Sequence, residues 1–289
     1  MILMLSRMKP WSIADTRRLV EARFGRAHLD RAAPSLNSLP ERLHYARYHY
    51  QEIQRLLGSF TELHLATKPL LFVIHGGDEA SREEFEVLMI EVGSHSTACV
   101  QSIHAISDIM AHAVYHGLGH SLDVSPLPDR DISAASVLNR LRHVPAHAAI
   151  AEVMSRMCRD SCYKNVAALA NKSKHQSIVK PVLNEDFTGS RAQRHEFRFS
   201  AFQYGGRDFP EATLASVLDR AYELASRTIV DGRQYAQQRL GSESGLTWCR
   251  TRTCRKRRSL FRLSGGRGAG GLHFNLFEVF LCVLRVLCV

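Results

Sequence analysis

Apolar residues recur every three to four positions over most of the first 240 residues, which is the spacing of amphipathic α-helices. The longest such pattern covers residues 82–117, with apolar positions from Phe85 to Ala113 on one face. Ser81 and Glu84 form a capping-box signature at its start. The same spacing predicts further helices over residues 13–32, 40–58, 133–142, 146–175 and 211–239.

Two segments depart from this helical pattern. Residues 70–74 are short and apolar and end before two glycines, which predicts a strand or a buried extended piece. Residues 182–204 predict a loop with one or two short strands, because Phe197 and Phe199 alternate with charged residues. Phe197, Phe199 and Phe202 could stack on bases, but all three rings are expected in the core. The predicted fold class is therefore all-α, an antiparallel helical bundle with a small β-hairpin insert before the last helix.

The net charge of +10 is concentrated at one end of the 289-residue chain. Residues 241–289 carry nine Lys and Arg against two Glu, which leaves only +3 for residues 1–240. The overall charge is therefore no argument that the body of the protein binds nucleic acid. The pattern divides the chain into an N-terminal helix or extension (1–38), a helical bundle (39–240) and a basic, Gly-rich tail (241–289).

The tail differs abruptly from the rest in its Arg, Gly and Cys usage, which predicts a disordered or frameshifted end. A basic RNA-binding patch and a C-terminal membrane anchor are the alternatives. An anchor is disfavoured because the last 18 residues are short and contain Asn275, Glu278 and Arg285. No membrane association is predicted.

The seven cysteines show no zinc-knuckle spacing, and the first ten residues become basic too soon for a signal peptide. These features predict reduced thiols and a cytoplasmic protein without a cofactor.

His104, Asp108, His112, His116 and His120 follow one another at four-residue steps in the longest helix. Histidine and carboxylate at this spacing can chelate a transition metal. The row drifts by about 40° per step, however, so five residues cannot share one ion. The preferred interpretation is a solvated face rich in histidine; Asp108, His112 and His116 are weak metal candidates.

A second candidate site lies at the end of the helix predicted over residues 146–175. Lys164, Asn171 and His175 fall within a narrow arc, opposite the local apolar stripe. Lys172 and Lys174 lie beside them. This face is typical of a site for a phosphate or for proton transfer, and equally of an ordinary solvated helix end.

The long helices, the terminal Asn-Lys-Ser-Lys-His motif of residues 171–175, the short β-element and the closing helix together resemble the HEPN superfamily (higher eukaryotes and prokaryotes nucleotide-binding domain). The resemblance covers roughly residues 40–240. Many members are metal-independent ribonucleases of toxin or antiviral systems, and they act as dimers. The resemblance implies that His175 is a general acid or base, with Asn171 and Lys174 beside it and Lys164 and Lys172 available to a phosphate.

The chain departs from the family motif, which is Arg, four to six residues, then His. No Arg stands at that distance before His175. Matches elsewhere are Arg23 to His28, Arg42 to His49, and Arg140 or Arg142 to His147, but about five are expected by chance in a chain with this much Arg and His.

The missing Arg favours a non-catalytic module over an enzyme. The function predicted from the sequence is binding of a nucleotide, of RNA or of a cognate protein partner, as a homodimer and as part of a defence or toxin–antitoxin system. The alternative is a metal-independent ribonuclease that uses His175.

Overall fold

The computed structural model describes residues 12–76 and 78–241, and the expectations for the basic tail fall on residues outside this part. The described residues contain eight α-helices: α1 (Ile13–Phe24), α2 (Arg26–Phe60), α3 (Leu70–His75), α4 (Glu79–Gly117), α5 (Ala134–Arg142), α6 (Ala148–Arg159), α7 (Ser161–His175) and α8 (Leu214–Gly241).

Short strands occupy the interval between α7 and α8, as the sequence predicts. They are β1 (Pro181–Glu185), β2 (His195–Phe199), β3 (Phe202–Tyr204), β4 (Arg207–Phe209) and β5 (Ala212–Thr213). The first, second and fifth form an antiparallel sheet in the order β1-β2-β5, and β3 pairs with β4 in a hairpin that turns at two glycines of positive φ. The predicted fold class is confirmed: a mostly helical protein with a small β region before the last helix.

The core forms around α4, which packs against α2 along most of its length and also contacts α5, α7 and α8. The apolar face predicted for α4 is buried, with Ile103 and Ile106 fully inaccessible to solvent. Phe197 and Phe199 are each 3% exposed, which confirms that the β-strands contribute their aromatic rings to the core. No helix in the described residues is both long and apolar enough to cross a membrane.

The first two helices differ from the prediction in where they divide. The break lies at Gly25, whose φ of 86° suits glycine, and α2 then runs without interruption through Pro34 and Pro40. Each proline removes one helical hydrogen bond. Burial of Leu36 and Leu39, at 5% and 2% exposure, holds the helix together across this region. The prediction of separate helices over 13–32 and 40–58 is therefore wrong.

The apolar segment at residues 70–74 is helical, which corrects the prediction of an extended piece. Leu70 and Val73 turn inward and Leu71 and Phe72 outward, a pattern that a helix of this length allows. The first helical N–H group is held from a distance in sequence, because Leu70 N donates to Glu185 Oε2 at 2.7 Å. The β1 strand thus fixes the start of α3.

Two helix boundaries also correct the prediction. The helix α4 begins earlier than Ser81, because the side chain of Asp78 caps it by accepting from Ser81 N at 2.7 Å. The helix predicted over 146–175 is divided into α6 and α7 at Asp160, whose backbone is extended and whose side chain accepts from Cys162 N at 2.8 Å. The N-cap at Asp160 starts α7 in a new direction and stabilises it by about 1 kcal/mol.

Candidate functional site

The candidate site suggested by the sequence lies at the C-terminal end of α7. The helix is held by its opposite face, where Tyr163, Val166 and Leu169 are buried. Tyr163 also donates its hydroxyl hydrogen to His104 O on α4 at 2.8 Å. These contacts leave the last turn of α7 and the segment up to β1 on the outside of the bundle.

The predicted residues are not equally accessible. Lys164, Lys174 and His175 are exposed, whereas Asn171 and Lys172 are half-buried. Lys172 Nζ donates to Gln176 Oε1 at 3.2 Å, one turn further on. His175 has no hydrogen bond or ion pair with any other described residue, so its ring is open to solvent.

The segment around the end of α7 carries more positive charge than the predicted motif alone indicates. Residues 161–180 contain four lysines and no Asp or Glu. The fourth lysine, Lys180, is exposed and was not among the predicted site residues. None of the four makes an ion pair within the described part of the chain, although most surface arginines there do. Lys164, Lys172 and Lys174 of α7, together with Lys180 in the segment between α7 and β1, are called the basic face below.

His104 on α4 adjoins the basic face. Its ring is stacked on that of Tyr163, with centroids 6.4 Å apart and planes inclined by 12°. Burial lowers the pKa of His104 below its ordinary value, and the positive charge of Lys174 lowers it further. His104 is therefore neutral at physiological pH and adds no positive charge to the face.

A small cavity lies beneath this end of α7. Its lining includes Ser96, Ser173, Ile178 and Phe199, and its volume of about 10 Å³ holds at most one water molecule. A larger cavity of about 40 Å³ lies among α1, α2, α4, α6 and α8, with an almost wholly apolar lining. Neither cavity has room for a nucleotide.

The residues of the histidine row on α4 make separate contacts. Asp108 Oδ1 accepts from Ala134 N at 3.0 Å and so caps the start of α5. The rings of His112 and His116 are stacked on each other, with their centroids 6.2 Å apart. Within residues 12–76 and 78–241, no group of three His, Cys, Asp or Glu side chains is placed to hold a metal ion.

The expectation of a solvated histidine face is wrong at the end of α4. His116 and His120 are only 6% and 7% exposed, because α2 and the loop after α4 cover them. His28 Nε2 donates to His116 O at 2.6 Å, and His120 Nδ1 donates to Asp123 Oδ2 at 3.1 Å. Burial, followed by the neighbouring His112 and His28, lowers the pKa of His116.

One of the chance Arg–His matches proves to border this region. Arg140 lies 4.0 Å from the Asp123 carboxylate, which also binds His120. The ring of His147 meets that of His120 edge-on at 5.3 Å, and its Nδ1 donates to the Tyr235 hydroxyl at 2.8 Å. Arg140 and His147 are thus connected through Asp123 and His120. This connection is seen only in the tertiary structure.

No protein-family model, curated protein or solved structure matches this chain. The resemblance to the HEPN superfamily therefore stays a prediction.

Proposed function

We propose that this protein is a HEPN-like helical module that binds a phosphate-bearing ligand, RNA or a nucleotide, on the basic face of α7 without cleaving it. The observation that carries the proposal is the run of twenty residues, 161–180, which contains no carboxylate and four lysines that form no ion pair with the described residues. The lysines give this surface a positive electrostatic potential, which attracts phosphate groups. The homodimer implied by the resemblance is part of the same hypothesis.

Several physical features support binding over catalysis. Lysines are flexible point charges, which suit contact with phosphates at variable positions better than the fixed geometry of a reaction centre. No Arg accompanies His175, and the described structure places no carboxylate or second imidazole against its ring.

The test is the salt dependence of binding to a labelled single-stranded RNA, followed by fluorescence anisotropy. Four lysine–phosphate contacts predict a slope of about −3 in a plot of log K against log salt concentration, or about a 50-fold loss of affinity between 50 and 200 mM salt. Changing all four lysines of the basic face to Gln should remove most of this slope. Competition by a mononucleotide distinguishes a nucleotide site from an RNA-binding face.

A matched control removes the same total charge elsewhere. Arg18, Arg26, Arg55 and Arg227 are all more than half exposed and each pairs with a carboxylate. Changing these four to Gln should leave the slope almost unchanged. An equal loss in both variants would mean that only net charge matters, and the proposed face would be rejected. The comparison between variants also cancels any contribution of the basic tail.

Metal-independent ribonuclease activity is the second candidate function. The exposed ring of His175, next to Lys174, is the observation that favours it. If the protein is a ribonuclease, RNA incubated in EDTA should be cut to 2′,3′-cyclic ends, and His175→Ala should abolish the cleavage. Cleavage that survives in His175→Ala but is lost in His147→Ala would instead assign the activity to the region of Arg140 and His147.

A further inference from the structure

Two histidines that are 46 residues apart in sequence face each other between α2 and α4. The Nδ1 atoms of His49 and His95 are 2.9 Å apart. The antiparallel packing of α2 and α4 holds the two histidines in place, through contacts on either side of the pair along the helices. Cys99 Sγ donates to Ala46 O at 3.3 Å about one turn away, and the rings of Phe60 and Phe85 pack 5.9 Å apart further along.

The rings are further restrained by an aromatic neighbour. The ring of Tyr48 meets His49 at 5.2 Å and His95 at 6.3 Å, in both cases nearly edge-on. Both histidines are half-buried. Burial, and then the proximity of His95, lowers the pKa of His49, which favours the neutral form of its ring. Neutral imidazole nitrogen is the form that coordinates a metal.

The distance between the nitrogens is close to that of a chelate. Two imidazole nitrogens at 2.0–2.1 Å from a tetrahedral ion are about 3.3 Å apart. At 2.9 Å the two Nδ1 atoms share a hydrogen bond, so one of them carries a proton. Binding an ion requires that proton to move to Nε2 of the same ring and the two nitrogens to open by about 0.4 Å, which small rotations of the side chains supply. Glu91, one helical turn before His95 on α4, adds a negative charge on the same side of the helix.

We propose that His49 and His95 bind one divalent transition-metal ion, of the class that includes Zn²⁺, Ni²⁺ and Cu²⁺, through their Nδ1 atoms. Imidazole suits these ions, whereas Mg²⁺ and Ca²⁺ require oxygen ligands. No third His, Cys, Asp or Glu joins the pair in the described residues, so water completes the coordination. The site is thus open and exchangeable, and it links α2 to α4. It shares no residue with the basic face of α7.

The probe is Ni²⁺, titrated by calorimetry into the full chain, which is purified without a histidine tag and alkylated at its accessible thiols. The matched variants are His49→Gln, His95→Gln and the double substitution, with His44→Gln as control, because His44 is an exposed histidine on the same helix. Circular dichroism confirms that each variant is folded. We expect one Ni²⁺ equivalent to bind at least tenfold more weakly in either single variant, and the control to bind as the wild type does.

The double variant tests whether the two side chains act together. Loss equal to that of either single variant supports a chelate, since one missing ligand already destroys the site. A further tenfold loss in the double variant would show independent binding and overturn the proposal. Wild-type affinity in His95→Gln would overturn it as well. In the wild type alone, Ni²⁺ should raise the unfolding temperature, because the ion binds only when α2 and α4 are packed.

Discussion

Replacing Glu185 with alanine should lower the free energy of unfolding by about 2–3 kcal/mol. The carboxylate accepts from Leu70 N at 2.7 Å and from Arg194 Nε at 2.9 Å, and its side chain is only 2% exposed. Removing it leaves a shielded N–H group at the start of α3 without an acceptor, which costs about 1–3 kcal/mol. The contact with Arg194 adds less, because that side chain is about half exposed.

Because Glu185 carries a charge, its contribution to the stability of the fold depends on pH. Burial alone would raise its pKa, but the Leu70 N–H group and Arg194, followed by His195, lower it below the ordinary 4.5. A carboxyl group with a lowered pKa stabilises the fold fully above its unfolded pKa. That stabilisation is lost as the pH falls through the folded value.

Denaturant unfolding near pH 7 measures the effect, with Glu185→Gln as a partial variant that keeps one acceptor oxygen. Glu211→Ala is the control, since Glu211 also pairs with an arginine of the sheet but is 51% exposed. Its loss should stay below about 1 kcal/mol. Equal losses for Glu185→Ala and Glu211→Ala would contradict the assigned role of Leu70 N.

The sequence predicts helices well where one periodic face enters the core. In α4 the apolar spacing continues for about ten turns, so the pattern alone identifies both the helix and its buried residues. The strand β2 is equally clear, because Phe197 and Phe199 alternate with charged neighbours. Local spacing decides these elements, and tertiary contacts only confirm them.

Boundaries fail where a distant residue decides the outcome. The helical state of residues 70–74 depends on Glu185, which lies 115 residues away from Leu70. The continuity of α2 through Pro34 and Pro40 depends on burial against other helices, which outweighs the local cost of proline. The hydrophobic periodicity of the sequence shows neither the contact with Glu185 nor the burial of α2.

The candidate sites also differ in whether the sequence alone identifies them. The basic face is visible in the sequence, because residues 161–180 contain four lysines and no acid. Lys180 lies outside the terminal motif of residues 171–175, so that motif alone does not indicate it. The pair of His49 and His95 is not visible in the sequence, since only the register between α2 and α4 brings the rings together. The burial of His116 likewise depends on the elements that cover the end of α4.

Lowering the pH from 7.5 to 5.5 should destabilise the protein, because several histidines are held neutral in the folded state. Burial is the largest cause of the lowered pKa of His49, His104 and His116. The unfolded chain therefore binds protons that the folded chain does not, and stability falls as the pH drops through the ordinary histidine value toward the folded one. Each such group contributes at most about 1.4 kcal/mol per pH unit, so three groups contribute at most about 4 kcal/mol per pH unit.

The substitution His116→Leu measures how much His116, the least exposed of these three histidines, contributes to the loss of stability at low pH. The substitution removes a ring that is 6% exposed, and the hydrogen bond from His28 remains because it is made to the backbone carbonyl of residue 116. Denaturant unfolding at pH 7.5, 6.5 and 5.5 should show a shallower fall in stability, by up to about 1.4 kcal/mol per pH unit. His44→Leu, at an exposed position, should keep the wild-type slope. If the slope in His116→Leu matched that of the wild type, the titration of His116 would play no part in the acid sensitivity. The half-buried His49 and His104 would then have to supply all of it, although water screens them better than it screens His116.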